Sequence, residues 1–439
     1  MKCQLVLALT LIIPLFGFLG NISGFQESLP LRRLMGGPEL DLWAEGVESG
    51  FFRARLARSN FEEMMKEITA KLALVLLGVL VALAVLEGGL RYQYHLLPPA
   101  TDKEHRFWQY DSLLGWSKIP GAEGPLVAYE YHTHVKINSH GLRDDEVPYQ
   151  KPPGEYRILA LGDSFTVALE VEKDEVWAEI LEELLDIRRA TRVINAGTRG
   201  YANDQEYLFL REEGLKYSPD LVLVAFFVND VLSNGLDHEE GRRYAKPRFV
   251  LRDGQLHLTN VPPPQPSAGP LKFLSKLLER FYVYRFAREV MERDPPGELP
   301  AYFQVYRTQY TPEWKEAWKV TEAIVVEMQQ LAESVGAQML VCYLPDQSQV
   351  SDSRWNQIVP HGGEDSSYDR DRPNHLMEEL CARHGIPYLD LTPPFRQHIA
   401  ADEPYPYFPV NAHFSVEGNR LAAQLIYEYL VEQELSPSH

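Results

Sequence analysis

Hydrophobic and polar positions follow three successive rhythms along the chain. The first is an unbroken apolar one. Residues 3–26 carry no charged side chain, and Leu72–Leu86 is a second uncharged run made almost wholly of Leu, Val and Ala. A bilayer core needs roughly 20 helical residues. The apolar pattern extends from Leu72–Leu86 out to Ile68 and Leu90, and Lys71 and Glu87 at its borders can snorkel. The run has no polar face, which disfavours the plainer alternative of a buried core helix and predicts a membrane helix instead. The first run is open to two readings, a signal peptide or another span; Pro14 interrupts it and no A-x-A-like cleavage site follows. Met64 and Met65 head a compact Lys-plus-apolar unit, so a start there is a further expectation, with residues 1–63 then outside the translated chain.

The second rhythm covers residues 92–150, aromatic and turn-rich with short alternating stretches such as Tyr129–Ile137, and predicts a small β-rich segment. The third begins at Tyr156. Strands are expected at Tyr156–Leu161, Thr191–Asn195, Leu221–Val228, Gln338–Leu344 and Pro387–Leu391. Helices are expected around Trp177–Leu185, Gln205–Leu215, Trp318–Ser334, His375–His384 and Val416–Glu432. Strands alternating with helices argue for a parallel sheet covered on both faces, with functional loops at the carboxyl ends of the strands. Residues 231–316 interrupt the alternation with a hairpin at Arg248–Leu258 turning at Asp253-Gly254, a proline-rich stretch Val261–Pro270 and an aromatic helical pattern Leu271–Val290. This insertion has two natural uses, a cap over the site or a subdomain without catalytic part. The expected domains are an N-terminal segment 1–63, an anchor 64–91, the β-rich segment 92–150 and the main domain 151–439.

Charge narrows the function. Acidic residues outnumber basic ones 62 to 43, for a formal charge of −19, which opposes non-specific nucleic-acid binding. Cys3, Cys342 and Cys381 are too few for a dense disulfide framework, so the fold must rest on packing. Arg53, Arg55, Arg58, Lys66 and Lys71 precede the apolar helix, whereas only Arg91, Lys103 and Arg106 follow closely. The positive-inside bias then puts the main domain outside the cytoplasm, at the cell surface or in a periplasm. His132 and His134 would share one strand face, but without companion ligands they are weak grounds for a metal site, and neither metal nor cofactor is expected.

The candidate chemistry lies at the strand ends. Leu161-Gly162-Asp163-Ser164-Phe165-Thr166 falls where the first strand hands over to a helix, a place where backbone N–H groups favour developing negative charge on or near a serine hydroxyl. The end of the second strand reads Ile194-Asn195-Ala196-Gly197, the end of the third Phe227-Val228-Asn229-Asp230, and His413-Phe414-Ser415 precedes the last helix. Each block has a plain structural reading: Gly197 as a tight-turn glycine, Asn229 as a helix cap, Asp163 as a turn residue, His413 as a core histidine.

Taken together, these four blocks resemble the SGNH (GDSL-type) hydrolase superfamily, in the form of a membrane-anchored bacterial-type member. The resemblance implies a three-layer α/β/α, flavodoxin-like sheet of five parallel strands, here with an inserted cap and an N-terminal membrane helix. It implies Ser164 as nucleophile and His413 as base, with an oxyanion hole from the Ser164 N–H, the Gly197 N–H and the Asn229 amide. The family usually has glycine where Phe227 stands, and an aspartate two or three residues before the histidine where this chain has Asn411 and Val410. Asn411 is therefore expected to orient His413, and a carboxylate from elsewhere, with Asp402 and Glu403 nearest in sequence, to substitute for the missing charge. The activity implied is acyl-ester hydrolysis on an acylated glycan, lipid or small-molecule ester. Two alternatives stay open: an O-acyltransferase of surface polysaccharide, and a catalytically degenerate carbohydrate-binding protein.

Overall fold

A computed structural model of the chain describes residues 46–96, 106–128, 130–238, 245–265, 278, 280–284, 287, 301–359, 367–401 and 403–435. The chain divides into two compact units between Ala82 and Leu83. A single helix, α1 (Gly46–Leu96), runs through this boundary. Its stretch Asn60–Tyr92 is long and apolar enough to cross a membrane, and Leu72, Leu74, Leu76 and Val85 along it are exposed. Asp402 and most of the stretch Leu271–Val290 lie outside the described residues.

Two antiparallel hairpins open the second unit: β1 (Trp108–Asp111) with β2 (Gly115–Lys118), and β3 (Glu123–Val127) with β4 (His132–Lys136). The central sheet then follows as β5 (Tyr156–Gly162), β6 (Thr191–Asn195), β7 (Leu221–Phe227), β10 (Gln338–Leu344) and β11 (Tyr388–Asp390). Its five strands are parallel and lie in the order β11-β10-β7-β5-β6. This is the doubly wound order 2-1-3-4-5, whose ligand crevice opens where strand order reverses, between β5 and β7. Every residue of β7 is buried, as expected where helices cover both faces.

The helices of this unit are α2 (Ser164–Val167), α3 (Trp177–Asp186), α4 (Asn203–Glu212), α5 (Asn229–Asn234), α6 (Pro312–Ser334), α7 (Gln347–Val350), α8 (Asp352–Ile358), α9 (Arg372–His384), α10 (Thr392–Ala400) and α11 (Val416–Glu432). α3 packs against α11, and α4 and α5 pack against α6. α3 and α11 therefore share one layer, and α4, α5 and α6 pack together in another.

The amino-terminal hairpins are sewn onto the sheet. Leu114, Trp116, Leu142 and Val147 share its core. Arg143, only 1% exposed, reaches from this segment to donate to the carbonyls of Val167, Ala168 and Val171. In the insertion, β8 (Arg248–Arg252) and β9 (Gln255–Thr259) form the expected hairpin, turning at Asp253 and Gly254 with φ of 51° and 77°. Positive φ at both central residues marks a turn whose twist matches the strands. The hairpin rests on α6 and on Tyr207 of α4, whose ring lies 5.6 Å from Phe249. The short helices α2, α5, α7, α8 and α10 have no counterpart in the sequence rhythm, since a single turn or two is too brief to display a 3.6-residue period.

Candidate active site

β5 ends at Gly162, and Asp163 caps the one-turn helix α2 by accepting the Phe165 N–H at 2.8 Å. Ser164 is thereby the first residue of that helix, with its N–H outside the helical ladder. Asp163 also accepts from Asn229 Nδ2 at 3.2 Å, so one carboxylate spans the switch point between β5 and β7. Burial pushes this carboxyl up from its ordinary value, against the Phe165 N–H, His413 and the Asn229 amide, all of which favour its charged form. Asp163 therefore acts as a turn and bridging residue. Asn229 begins α5, with Val228 in the cap position, so it is free of the capping role.

Asn195 and Gly197 brace the nucleophile turn. Asn195 Nδ2 donates to the Thr166 carbonyl at 2.8 Å, and Asn195 Oδ1 accepts the Gly197 N–H at 3.0 Å. The Gly197 N–H, expected as an oxyanion donor, donates here to the neighbouring Asn195 side chain. The glycine is required sterically, because a Cβ at this position would stand 2.4 Å from the Val167 nitrogen. Lys118, buried, donates to the Gly197 carbonyl and to Thr198 Oγ1, both at 2.6 Å, and burial pushes its ammonium down to about 7.

His413 completes the site from the far end of the sequence. Its Nε2 lies 2.9 Å from Ser164 Oγ. Its Nδ1 meets Asn411 Oδ1 in a short hydrogen bond, so the asparagine faces the ring as the acid of a triad would. Ala412 between them takes a φ of 64°, a left-handed conformation that brings the two side chains together. Behind the ring, Phe165 stacks on Phe227 with centroids 4.3 Å apart, and Phe165 lies 4.9 Å from both His413 and Phe414. Phe227 is therefore a buttress of the histidine pocket.

A residue without a place in the motifs also faces the histidine. Glu170 Oε1 is 3.6 Å from His413 Nδ1, and the side chain is 2% exposed. Neither of its oxygens has a hydrogen-bond partner. Glu403, one of the two acids nearest in sequence, is exposed. The only signal for Glu170 in the sequence is a lone acid within Val167-Ala168-Leu169-Glu170-Val171. Among the described residues, no three His, Cys, Asp or Glu gather as a metal site; His134 of β4 pairs with Glu123 at 2.9 Å.

A serine hydroxyl, a hydrogen-bonded imidazole and an oriented second nitrogen form a nucleophile–base–orienter line. Solved structures that the chain resembles include an α/β hydrolase from the metagenome of Lake Arreo, Spain, at 14% identity and a TM-score of 0.36, over 66% of this chain and 99% of that one. An acetylxylan esterase from Geobacillus stearothermophilus, in a catalytic mutant, gives 13% identity and a TM-score of 0.35, over 64% of this chain and 96% of the other. A GDSL-like lipase from Bacteroides thetaiotaomicron gives 13% and 0.32, over 63% and 88%. No curated protein matches the chain. The profile of the GDSL-like Lipase/Acylhydrolase family matches residues 160–421, a stretch that runs from β5 through His413 into α11, and the chain belongs to that family of esterase-type acylhydrolases.

Proposed function

We propose that the chain is a serine-dependent acyl-ester hydrolase held to a membrane by Leu72–Leu86 and acting outside the cytoplasm on an acylated glycan or lipid. The observation that carries the chemistry is the Asn411–His413–Ser164 line, with Nε2 at 2.9 Å from the hydroxyl. His413 takes the Ser164 proton as Oγ attacks the ester carbonyl. The tetrahedral oxyanion is met by the Ser164 N–H and the Asn229 amide, while Gly197 and Asn195 hold the turn rigid beneath it. Collapse expels the alcohol, which leaves with the proton from His413, and water then releases the acid from the acyl-enzyme by the same base. Support for the location comes from the long apolar α1 and from the cations crowded before it. The same topology supports an ester of the cell envelope as substrate.

A fluorophosphonate probe tests the reading. Wild-type protein in detergent is expected to be labelled at Ser164 and to hydrolyse simple acetyl esters, and the Ser164→Ala variant to do neither. An unlabelled Ser164 in folded wild-type protein defeats the proposal.

A further inference from the structure

We propose that Glu170 is the charged partner of the catalytic base, dividing between two residues a task that one acid performs in a Ser-His-Asp triad: Asn411 orients the ring and Glu170 supplies the negative charge. The inference rests on the assignment of His413 as base. Its grounds are geometric. Asn411 Oδ1 takes the Nδ1–H directly, but an amide carries no net charge with which to balance the imidazolium that forms when Ser164 is deprotonated. Glu170 Oε1 sits 3.6 Å from the same nitrogen, just behind the asparagine contact.

The carboxylate is buried and both its oxygens lack hydrogen-bond partners. Such a group costs stability unless opposite charge compensates it. The compensating charges come from three separate elements. Arg199 Nη1, on the loop after β6, stands 3.9 Å from Oε1. Burial pushes the guanidinium of Arg143, from the segment before β5, down to about 10, with the charge of Glu170 opposing that fall, and it clamps the very turn that carries the acid. His413 is the third, and it alone changes charge during the reaction. Burial raises the carboxyl of Asp163 on the Ser164 turn from its ordinary value, and the like charge of Glu170 adds to that rise. Glu170 touches no reacting atom, so it is a positioning and field-setting residue rather than a catalytic one.

A carboxylate this close to an imidazole favours its charged form, so neutralising it should slow proton abstraction about 10- to 100-fold. The test follows the titration of His413 in full-length protein carrying [13Cε1]-histidine, alongside kcat and KM for an acetyl ester. Glu170→Gln, nearly isosteric, is expected to move the His413 titration and the acid limb of the rate profile to lower pH. It should reduce kcat with KM nearly unchanged. Adding Asn411→Asp in that background returns a carboxylate to direct contact with Nδ1 and should restore both the titration and kcat. A His413 titration that is the same in wild type and Glu170→Gln overturns the proposal. So does a fall in kcat that Asn411→Asp does not rescue. The titration reads the Glu170–His413 coupling whether or not the protein turns over any ester. A wild type that shows the shift on substitution yet hydrolyses nothing therefore refutes the hydrolase reading and leaves this one standing.

Discussion

The Glu130 carboxylate accepts the backbone N–H of Asn411 at 2.6 Å, and its second oxygen takes the Val410 N–H at 2.9 Å. A residue of the β-rich segment thus fastens the loop that presents the base, across 281 residues of sequence. Glu130→Ala frees that loop while leaving the sheet intact. Displacement of a catalytic group by an ångström can cost 10²-fold, so kcat is expected to fall about 10- to 100-fold. The thermal midpoint should change little, and steady-state kinetics with circular dichroism melting checks both.

Ser164→Ala removes the nucleophile from a half-buried turn that Asp163, Asn195 and Gly197 already hold. Ester turnover should disappear, and stability should stay within about 0.5 kcal/mol of wild type, as for most changes away from core or network positions. Retained turnover in purified variant protein would place the reaction elsewhere.

Asn411→Ala deletes the side chain that meets Nδ1 of His413, the group proposed to fix its tautomer. With Nδ1 unheld, Nε2 no longer reliably faces Ser164, and kcat should drop about 10²-fold or more. Asn411→Asp in the otherwise wild-type chain puts a second carboxylate beside Glu170. Like charges at this spacing oppose joint ionisation, so the gain in turnover should be small, about threefold or less. Parallel kinetics of the two variants decides it, and a large gain from Asn411→Asp would mean that no other acid serves the ring.

Glu206 forms a buried carboxylate cluster with Asp163, Asp204 and Asp230 behind the strand ends. Burial pushes it up to about 8, the Asn203 amide opposing and Asp163 and Asp204 adding to the rise. The folded chain therefore keeps this proton through a pH range in which the unfolded chain, with an ordinary value of 4.5, has lost it. Its contribution is complete below that ordinary value and is lost as pH climbs through 8, so stability declines across the window. Glu206→Gln should stabilise the fold at pH 8 and barely alter it at pH 4. Urea unfolding at the two pH values provides the check.

A reporter fused after residue 150 tests the orientation of α1. An enzyme that works only outside the cytoplasm should be active in this fusion, and one that works only inside should be silent. Reversal of the pattern contradicts the excess of cations from Arg53 to Lys71.

The parts of the architecture that could be read from sequence are those that repeat a period or carry a motif. Gln338–Leu344 and Val416–Glu432 are the same in the structure as in the sequence reading, because one is a nearly continuous apolar run and the other a sustained helical stripe; Thr191–Asn195 also keeps its expected bounds. The helix before β10 begins earlier than expected, at Pro312: proline sits in its first turn, where its missing N–H costs nothing, and buried Trp314 and Ala317 carry the apolar stripe back to it. Glu170 escaped because its role depends on a fold in the chain: it follows Ser164 closely but turns back on it, through the left-handed Ala168 that ends α2. Proximity to His413 in sequence pointed to Asp402 and Glu403, whereas the hydroxyl that meets its Nε2 lies 249 positions away.

That separation also fixes when the molecule becomes chemically competent. Ser164 leaves the ribosome 249 residues ahead of His413, which is followed by the helix that packs on α3 and whose Asn419 accepts the Trp177 N–H at 3.1 Å. Until that stretch docks, Ser164 lacks the imidazole beside it and is an ordinary alcohol. On the proposed mechanism the nascent chain therefore stays inert toward esters until His413 reaches Ser164.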